Sequence, residues 1–260
     1  MKLPISVIVV CYNEAKMLRR CLESVDFCDE KIVVDLDSGD TSAAIAGQMG
    51  AKVINHPWVP IGEMARAKAV KQAKHDWLLI TDPDEEISPP LAANIKKIIQ
   101  ENPKTVGIIR VPLRNFVKGR FLRGTVWGGL KKRKRLIMHR ERAEINPQVH
   151  SEFFTLKPGY EVYEIPKQKG NFLNHYWISD WSSFFDKHRR YLKLEGEARY
   201  IRGERFSWLR LLATAPIEFW SCLVGHRGYR DGILGVFLSC FWVWYNFMSL
   251  LALRRYQKSL

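Results

Sequence analysis

The first hundred residues alternate between two patterns of apolar and polar positions. Short runs rich in Val and Ile have strand length, and the segments between them place apolar residues at helical spacing or carry helix caps. The predicted strands are residues 5–12, 31–36, 51–56 and 76–82, and the predicted helices are residues 14–25, 41–50 and 62–75. This alternation predicts an α/β fold built on a mostly parallel sheet with helices on both faces.

Polar side chains cluster where three of these strands end. The clusters are Tyr12–Glu14, Asp35–Asp40 and Asp82–Glu86. The carboxyl ends of parallel strands meet at one edge of a sheet, where ligands of open α/β folds bind. Each cluster alone could be an ordinary turn or helix cap, but three at one edge favour a binding site.

The third cluster predicts a metal site. Asp82 and Asp84 can present carboxylate oxygens to one hard divalent cation, Mg²⁺ or Mn²⁺, which completes its shell with water and phosphate oxygens. Asp35 could accept hydrogen bonds from a base or ribose. The chain has no GxxxxGK[ST] loop, and no GxGxxG follows its first strand, which disfavours P-loop NTPases and dinucleotide-binding dehydrogenases. The pattern favours a site that binds a nucleotide diphosphate through a metal ion.

Charge divides the chain into two parts. Residues 1–105 hold 13 Lys and Arg against 15 Asp and Glu, whereas residues 106–260 hold 28 against 12. An anionic partner is expected for the second part. Its basic run could contact phosphates of an acceptor or anionic lipid headgroups, and no nucleic-acid module surrounds it. The run consists of Lys131, Lys132, Arg133, Lys134 and Arg135.

The five cysteines form no CxxC pair and are odd in number, so we expect buried thiols in a reducing compartment. The N-terminal apolar stretch has strand length and lacks the features of a signal peptide. These observations predict a protein that works in the cytosol.

The C-terminal third is helical and apolar. Between Trp181 and Leu192, aromatic and apolar residues lie on one side of the predicted helix and basic residues on the opposite side. Residues 232–253 carry no charge. As a helix, those 22 residues would measure about 33 Å, enough to span a bilayer. Basic residues flank this segment at both ends, which is unfavourable for a helix that spans the membrane. We therefore favour a helix that lies in the membrane interface, or a shallow hairpin. A helix packed on the catalytic domain or in a dimer interface is the alternative.

In order along the chain, "SVIVVCYNE", "IVVDLDSGDTS", "GEMARAKAV" and "DWLLITDPDE" resemble the donor-binding half of family-2 glycosyltransferases with the GT-A fold. Later segments within residues 134–153, 174–199 and 228–235 are similar to the subgroup of lipopolysaccharide core β-1,4-glucosyltransferases. The resemblance implies an inverting, metal-dependent hexosyltransferase, with a UDP-linked donor and glucose favoured. It also implies donor-binding roles for Tyr12, Asn13, Glu14, Asp35, Asp40, Arg66 and Asp82, with Asp82 and Asp84 as the DXD metal ligands.

The sequence departs from the family pattern in two places. Asp37 stands where glycine is usual, and His150-Ser151-Glu152 replaces an adjacent His-Glu pair. An inverting transfer needs one base to take the proton of the acceptor hydroxyl. Glu152 is the candidate, with His150 as the alternative base or as a metal or phosphate contact. In a strand over residues 148–154 the two side chains would share a face.

The predicted organisation is a GT-A catalytic domain over residues 1–175 and a basic, membrane-associating helical extension over residues 176–260. Residues 1–105 form the nucleotide-sugar half and residues 106–175 the acceptor half. We expect transfer to a phosphorylated glycolipid of the lipopolysaccharide core, at the cytoplasmic face of a bacterial inner membrane with anionic lipid. A polyprenyl-phosphate glycosyltransferase and a non-catalytic nucleotide- or membrane-binding module are the alternatives. No nucleic acid is expected, and the sequence leaves the oligomeric state open.

Overall fold

The computed structural model describes residues 2–59, 62–101, 103–129, 132–145, 154–168 and 170–260. The chain divides into two compact units. Unit 1 comprises Met1–Leu113 and Arg133–His175, and unit 2 comprises Arg114–Lys132 and Tyr176–Leu260. Segment Arg114–Lys132, which falls in the predicted acceptor half, groups with the C-terminal helices because Val117 and Leu122 enter their apolar core.

Unit 1 begins with the predicted alternation of strand and helix. The elements are β1 (Leu3–Cys11), α1 (Ala15–Ser24), β2 (Cys28–Asp35), α2 (Ser42–Gln48), β3 (Lys52–Asn55), α3 (Gly62–Val70) and β4 (Trp77–Thr81). Helix α3 is shorter than predicted and stops at Val70. Backbone N–H groups of Gln72 and Ala73 bond three residues back, to Ala69 and Val70, in a tight turn that ends the helix.

The remaining strands make the sheet mixed. They are β5 (Glu85–Ile87), β6 (Val106–Val117), β7 (Arg120–Phe121), β8 (Arg133–His139), β9 (Ala143–Ile145), β10 (Phe154–Leu156), β11 (Glu161–Glu164) and β12 (Leu173–Ile178), with α4 at Pro89–Glu101. The main order is β3-β2-β1-β4-β8-β6-β12-β5. The first four strands are parallel, as predicted, whereas β8 runs antiparallel to β4 and β6. Strands β9 and β10 form a separate antiparallel pair.

Strands β1 and β4 and most of β2 are buried on both faces, which is why they are nearly continuous apolar runs. Alternate residues of β1 enter different cores: Val7 and Val9 join one cluster with Leu18 of α1, and Ile8 joins another with Ala65 of α3. Helices therefore cover both faces of the parallel half, as the strand-helix alternation predicts.

Unit 2 is built on three helices, α5 (Trp181–Ile201), α6 (Trp208–Trp220) and α7 (Ile233–Ser259). A π-helical turn (Ser221–Gly225) and a 3₁₀ turn (Gly228–Asp231) join the last two. Part of the aromatic stripe predicted on α5 packs against α7, with ring centroids of Phe184 and His188 4.6 and 4.9 Å from that of Phe241. At Gly196, a side chain would place Cβ 2.6 Å from the carbonyl oxygen of Ala252, so α5 and α7 meet closely there.

Among the described residues, α7 is the one helix long and apolar enough to cross a membrane, and nearly half of its most apolar stretch is buried within the protein. Polar groups tie it to α5. The hydroxyls of Tyr245 and Ser249 each donate to the buried Glu195 carboxylate at 3.1 Å, and Arg199 donates to Asn246 Oδ1 at 3.1 Å. These contacts make α7 a structural part of unit 2.

Candidate functional site

The predicted site residues lie at the carboxyl edge of the parallel strands in unit 1. Cys11 at the end of β1 pairs with Asp35 at the end of β2, and Asp35 pairs with Asn55 of β3. Thr81, the last residue of β4, pairs with Val9 of β1. The loops that follow these strands therefore leave the sheet at the same edge.

The loops after β1 and β2 are held together by short hydrogen bonds. The backbone N–H of Asn13 donates to Ser38 Oγ at 3.0 Å, and Asn13 Oδ1 accepts from Gly39 N–H at 2.8 Å. Asp35 Oδ2 accepts from Ser38 N–H at 3.0 Å. Asp37 has φ +60°, a conformation that glycine adopts freely, so the substitution noted in the sequence falls at a left-handed position that Asp tolerates.

Asp40 fixes the start of α1. Its carboxylate accepts from the N–H groups of Ala15 at 3.1 Å and Ser42 at 2.9 Å. Burial would raise the pKa of Asp40, but hydrogen bonds from Ser42 and Ala15 outweigh it and hold that pKa below its usual value. Glu14 donates its backbone N–H to Ser42 Oγ at 2.9 Å. Asp40 thus orders the loop that carries the other polar residues.

Two aromatic side chains are exposed beside this loop. The rings of Tyr12 and Trp58 meet edge to face, with centroids 6.4 Å apart. Trp58 was not among the sequence candidates, because an isolated Trp after a short strand carries no pattern. Exposed aromatic faces of this kind can stack on a planar base.

Asp82 lies between two cations. Its Oδ1 accepts from an Arg66 guanidinium N–H, and its Oδ2 lies 3.0 Å from Lys134 Nζ. Burial would raise the pKa of Asp82, but the charges of Arg66 and Lys134 outweigh it and lower that pKa strongly. Burial likewise opposes the charge on Lys134, whose pKa is raised by Asp82 and Glu85. Asp82, Arg66 and Lys134 are therefore charged at neutral pH.

Sheet register brings Lys134 to this position. Leu79 of β4 pairs with Ile137 of β8 in antiparallel order, so three residues further on, Lys134 comes beside Asp82. Lys134 also lies 2.5 Å from Glu85 Oε2, which accepts from the Thr81 hydroxyl at 2.9 Å. The sequence predicts Lys134 only as one of the five basic residues that could contact acceptor phosphates or lipid headgroups, and no local pattern pairs it with the carboxylates.

Asp84 pairs with a histidine that the sequence analysis did not select. His175 Nε2 lies 3.2 Å from Asp84 Oδ2, and its backbone is opposite Glu85 in the β12–β5 pairing. Burial would lower the pKa of His175, but the adjacent Asp84 carboxylate outweighs it and raises that pKa. The polar pair Asn174-His175 within an otherwise apolar strand is the signal that could have revealed it.

The donor set suits a divalent cation. Carboxylate oxygens of Asp82 and Asp84 with an imidazole nitrogen of His175 are ligands that Mn²⁺ accepts, and the carboxylates suit Mg²⁺. Within the described ranges, no three His, Cys, Asp or Glu side chains already form a metal cluster. An ion held by Asp84 and His175 would complete its shell with water and phosphate oxygens.

Two other members of the basic run, Arg133 and Arg135, have partners of their own. Arg133 bonds Ile165 O at 2.9 Å and Glu164 at 3.3 Å, and Arg135 bonds the carbonyl of Phe154. Lys132 is exposed. Lys131 and both base candidates, His150 and Glu152, lie outside the described residues.

A family model described as "Glycosyl transferase family 2" matches residues 6–164, more than half of the chain. The chain belongs to glycosyl transferase family 2. The match begins in β1 and ends in β11. It therefore contains all the site residues described above except His175.

Relatives of the chain include proteins named as glycosyltransferases. An uncharacterized glycosyltransferase of Rickettsia felis is 42% identical over 96 residues, which are 36% of this chain and 33% of that protein. A TPR repeat-containing protein of Synechococcus elongatus is 42% identical over 84 residues, 32% of this chain and 21% of that protein. The chain thus matches a third or less of the length of these two relatives. The lipopolysaccharide core biosynthesis glycosyltransferase LpsC of Rhizobium meliloti is 24% identical over 242 residues, 90% of this chain and 86% of that protein.

Solved structures align less completely. The glucosyl-3-phosphoglycerate synthase of Mycobacterium tuberculosis, in complex with Mn²⁺, UDP and glucosyl-3-phosphoglycerate, aligns over 45% of each chain with 22% identity and a TM-score of 0.35.

Proposed function

We propose that this member of glycosyl transferase family 2 is an inverting hexosyltransferase. It would move a sugar, glucose favoured, from a UDP-linked donor to a lipopolysaccharide-core or related envelope glycolipid. The observation that carries the proposal is the charged cluster at the end of β4, where Asp82 and Asp84 meet Arg66, Lys134 and His175. The similarity to LpsC over 90% of the chain supports the class of acceptor.

In this proposal the donor lies along the carboxyl edge of the sheet. The part of the site that would bind the nucleoside is formed or ordered by Asp35, Asp40, Asn13 and Glu14, with Tyr12 beside it. Arg66 and Lys134 are cations placed to face a diphosphate, whose oxygens make charge-assisted hydrogen bonds with such groups. Asp35 is buried and accepts the backbone N–H of Ser38, which fixes the orientation of the carboxylate that we propose binds a base or ribose.

Asp82 and Asp84 are proposed to hold Mg²⁺ or Mn²⁺ at the diphosphate, with His175 beside Asp84. When bound, the ion acts as a Lewis acid that neutralises charge developing on the departing nucleotide. The protein's part is to orient the carboxylates. Glu85 does so by accepting the backbone N–H of Asp82 at 3.0 Å, which fixes the loop between Thr81 and Glu85.

The acceptor hydroxyl needs a base on the side opposite the leaving group. Glu152 is proposed for this role, with His150 as the second candidate. Both belong to the segment that connects β9 and β10 along the chain. Lys131 and Lys132 are proposed as contacts to acceptor phosphates, and the protein is proposed to act at the cytoplasmic face of an inner membrane containing anionic lipid.

A polyprenyl-phosphate acceptor is the alternative of the same chemistry, because a phosphate nucleophile needs no strong base. Replacing both Glu152 and His150 by Gln separates the two. Loss of turnover on a sugar hydroxyl by at least about a hundredfold supports the glycolipid acceptor, since general-base catalysis contributes about that much. Retained turnover favours the phosphate acceptor.

The decisive experiment measures donor binding and turnover together. UDP with Mn²⁺ or Mg²⁺ should raise the melting temperature, because a ligand at a hundred times its Kd adds about 2.7 kcal/mol of stability. Asp84→Asn should abolish both the shift and transfer from UDP-sugars. Asp76→Asn is the matched control, since Asp76 is an exposed carboxylate just before β4, at the opposite end of the same strand.

Full turnover by Asp84→Asn would refute the proposed metal site. Specific binding of UDP and Mn²⁺ without transfer from any UDP-sugar would instead identify a non-catalytic nucleotide-binding module.

A further inference from the structure

Helix α6 in unit 2 presents a row of exposed apolar side chains, which we call the α6 face. Its members recur every three to four residues: Leu209, Leu212, Pro216 with Ile217, and Trp220. Leu209 is 81% exposed and Leu212 is 71% exposed. Isolated exposed leucines are common, but a helix face made of large apolar residues marks an interaction site.

Contacts on the other side of α6 fix which face points outward. Leu211 and Thr214 are buried, and Leu211 shares an apolar cluster with Leu250 and Leu253 of α7. Glu218 is the one acidic or basic residue between Leu211 and Gly225, and its carboxylate accepts the indole N–H of Trp242 at 2.6 Å. The charged group is thus engaged with α7, and the outward face is free of charge.

Basic side chains lie at both ends of this face. Arg205 and Arg210 are exposed near its start, where Arg210 pairs with Glu204 at 2.7 Å, and Arg227 and Arg230 are exposed after it. The only acid near Arg227 and Arg230 in sequence is Asp231, which is buried and accepts the backbone N–H groups of Arg123 and Gly124 at 2.9 and 2.6 Å. It therefore does not neutralise the exposed arginines. An apolar strip between cationic ends matches a bilayer interface that has anionic headgroups.

We propose that the α6 face embeds in the interface of an anionic bilayer while α7 stays packed within unit 2. The choice of a bilayer as occupant rests on the proposed function, which acts on a membrane glycolipid. If α7 crossed the bilayer, Tyr245 and Ser249 would either separate from their partner Glu195 or enter the hydrocarbon together with it, and burying polar groups there is costly. The proposed membrane element is therefore the α6 face and not a spanning α7, although α7 is the longer and more apolar helix and itself exposes Ile233, Phe237 and Trp244.

The test measures sedimentation of the full chain with vesicles of two parts phosphatidylcholine to one part phosphatidylglycerol, and with pure phosphatidylcholine. Leu209→Gln/Leu212→Gln should weaken vesicle partitioning by at least about tenfold, because two exposed leucines leave the apolar phase. Arg227→Gln/Arg230→Gln should weaken binding about tenfold on the anionic vesicles only. The matched control is Tyr160→Gln/Tyr163→Gln, which removes two exposed aromatic residues from unit 1 and should change nothing.

Each variant is also melted with UDP and Mn²⁺, which reports on the donor site independently of lipid. Unchanged partitioning of the leucine variant overturns the inference, whatever the donor site does. Resistance of the membrane-bound chain to carbonate extraction would show a spanning helix and overturn it as well. So would a wild-type dimer that ignores vesicles and dissociates in the leucine variant, because a second copy would then cover the face.

Discussion

Lys134 neutralises two carboxylates, that of Asp82 in the turn after β4 and that of Glu85 at the start of β5. Its ammonium lies 3.0 Å from Asp82 Oδ2 and 2.5 Å from Glu85 Oε2, and the Glu85 side chain is 2% exposed. Lys134→Met keeps the aliphatic length but removes the charge. Removing one partner of a buried ion pair costs about 3–5 kcal/mol. Because the Lys134 and Asp82 side chains remain 22% and 33% exposed, solvent screening reduces the expected loss to about 2–3 kcal/mol.

Urea unfolding at neutral pH, followed by circular dichroism, measures this loss for Lys134→Met, Glu85→Gln and the double variant. The double variant should recover at least about 1 kcal/mol relative to additivity, because the uncompensated buried carboxylate is gone. Lys132→Met is the matched control from the same basic run, and its effect should stay within about 0.5 kcal/mol since that lysine is exposed. Equal stabilities of Lys134→Met and Lys132→Met, or strict additivity with Glu85→Gln, would refute the role assigned to Lys134.

Three further predictions concern packing, pH and backbone conformation. Gly196→Ala should destabilise the protein by about 2 kcal/mol in urea, because its Cβ would meet the Ala252 carbonyl, whereas Gly47→Ala in α2, with open space around it, should gain about 0.5–1 kcal/mol. Partial burial would raise the pKa of Glu204, but the neighbouring arginines outweigh it and lower that pKa. The contribution of Glu204 to the stability of the fold is therefore present above the ordinary glutamate pKa of 4.5 and is lost as pH falls below that value. Glu204→Gln should therefore cost about 1 kcal/mol at pH 7 and flatten the acid side of the stability-pH curve; an unchanged curve contradicts this. Asp37→Val should cost about 1–2 kcal/mol by thermal melting because a β-branched residue resists φ +60°, while Asp37→Gly should be tolerated.

Local pattern was sufficient to predict the parallel half of unit 1. Strands β1, β2, β3 and β4 and the helices between them follow from apolar runs and helical spacing, because each such element is specified by its own few residues. The same pattern placed Asp35 and Asp82 at one edge, since strand direction alone decides where the ends of parallel strands meet. The family, too, was predicted from these segments, and the family match confirms it.

The partners of the acidic residues were decided by tertiary structure. His175 is 91 residues from Asp84, and Lys134 is 52 residues from Asp82. Each comes into place through antiparallel pairing, of β12 with β5 and of β8 with β4. A one-residue change of register would turn either side chain to the other face of the sheet, and no local pattern in the sequence states that register.

Tertiary structure likewise decided which C-terminal helix is covered. Hydropathy alone selects α7, the longest apolar segment of unit 2. In the folded protein one side of α7 packs against α5 and α6, while α6 exposes the apolar row from Leu209 to Trp220 and α7 exposes Ile233, Phe237 and Trp244. Sequence determines how apolar each helix is, but exposure depends on which neighbouring helix buries it, and that is a property of the packed structure alone.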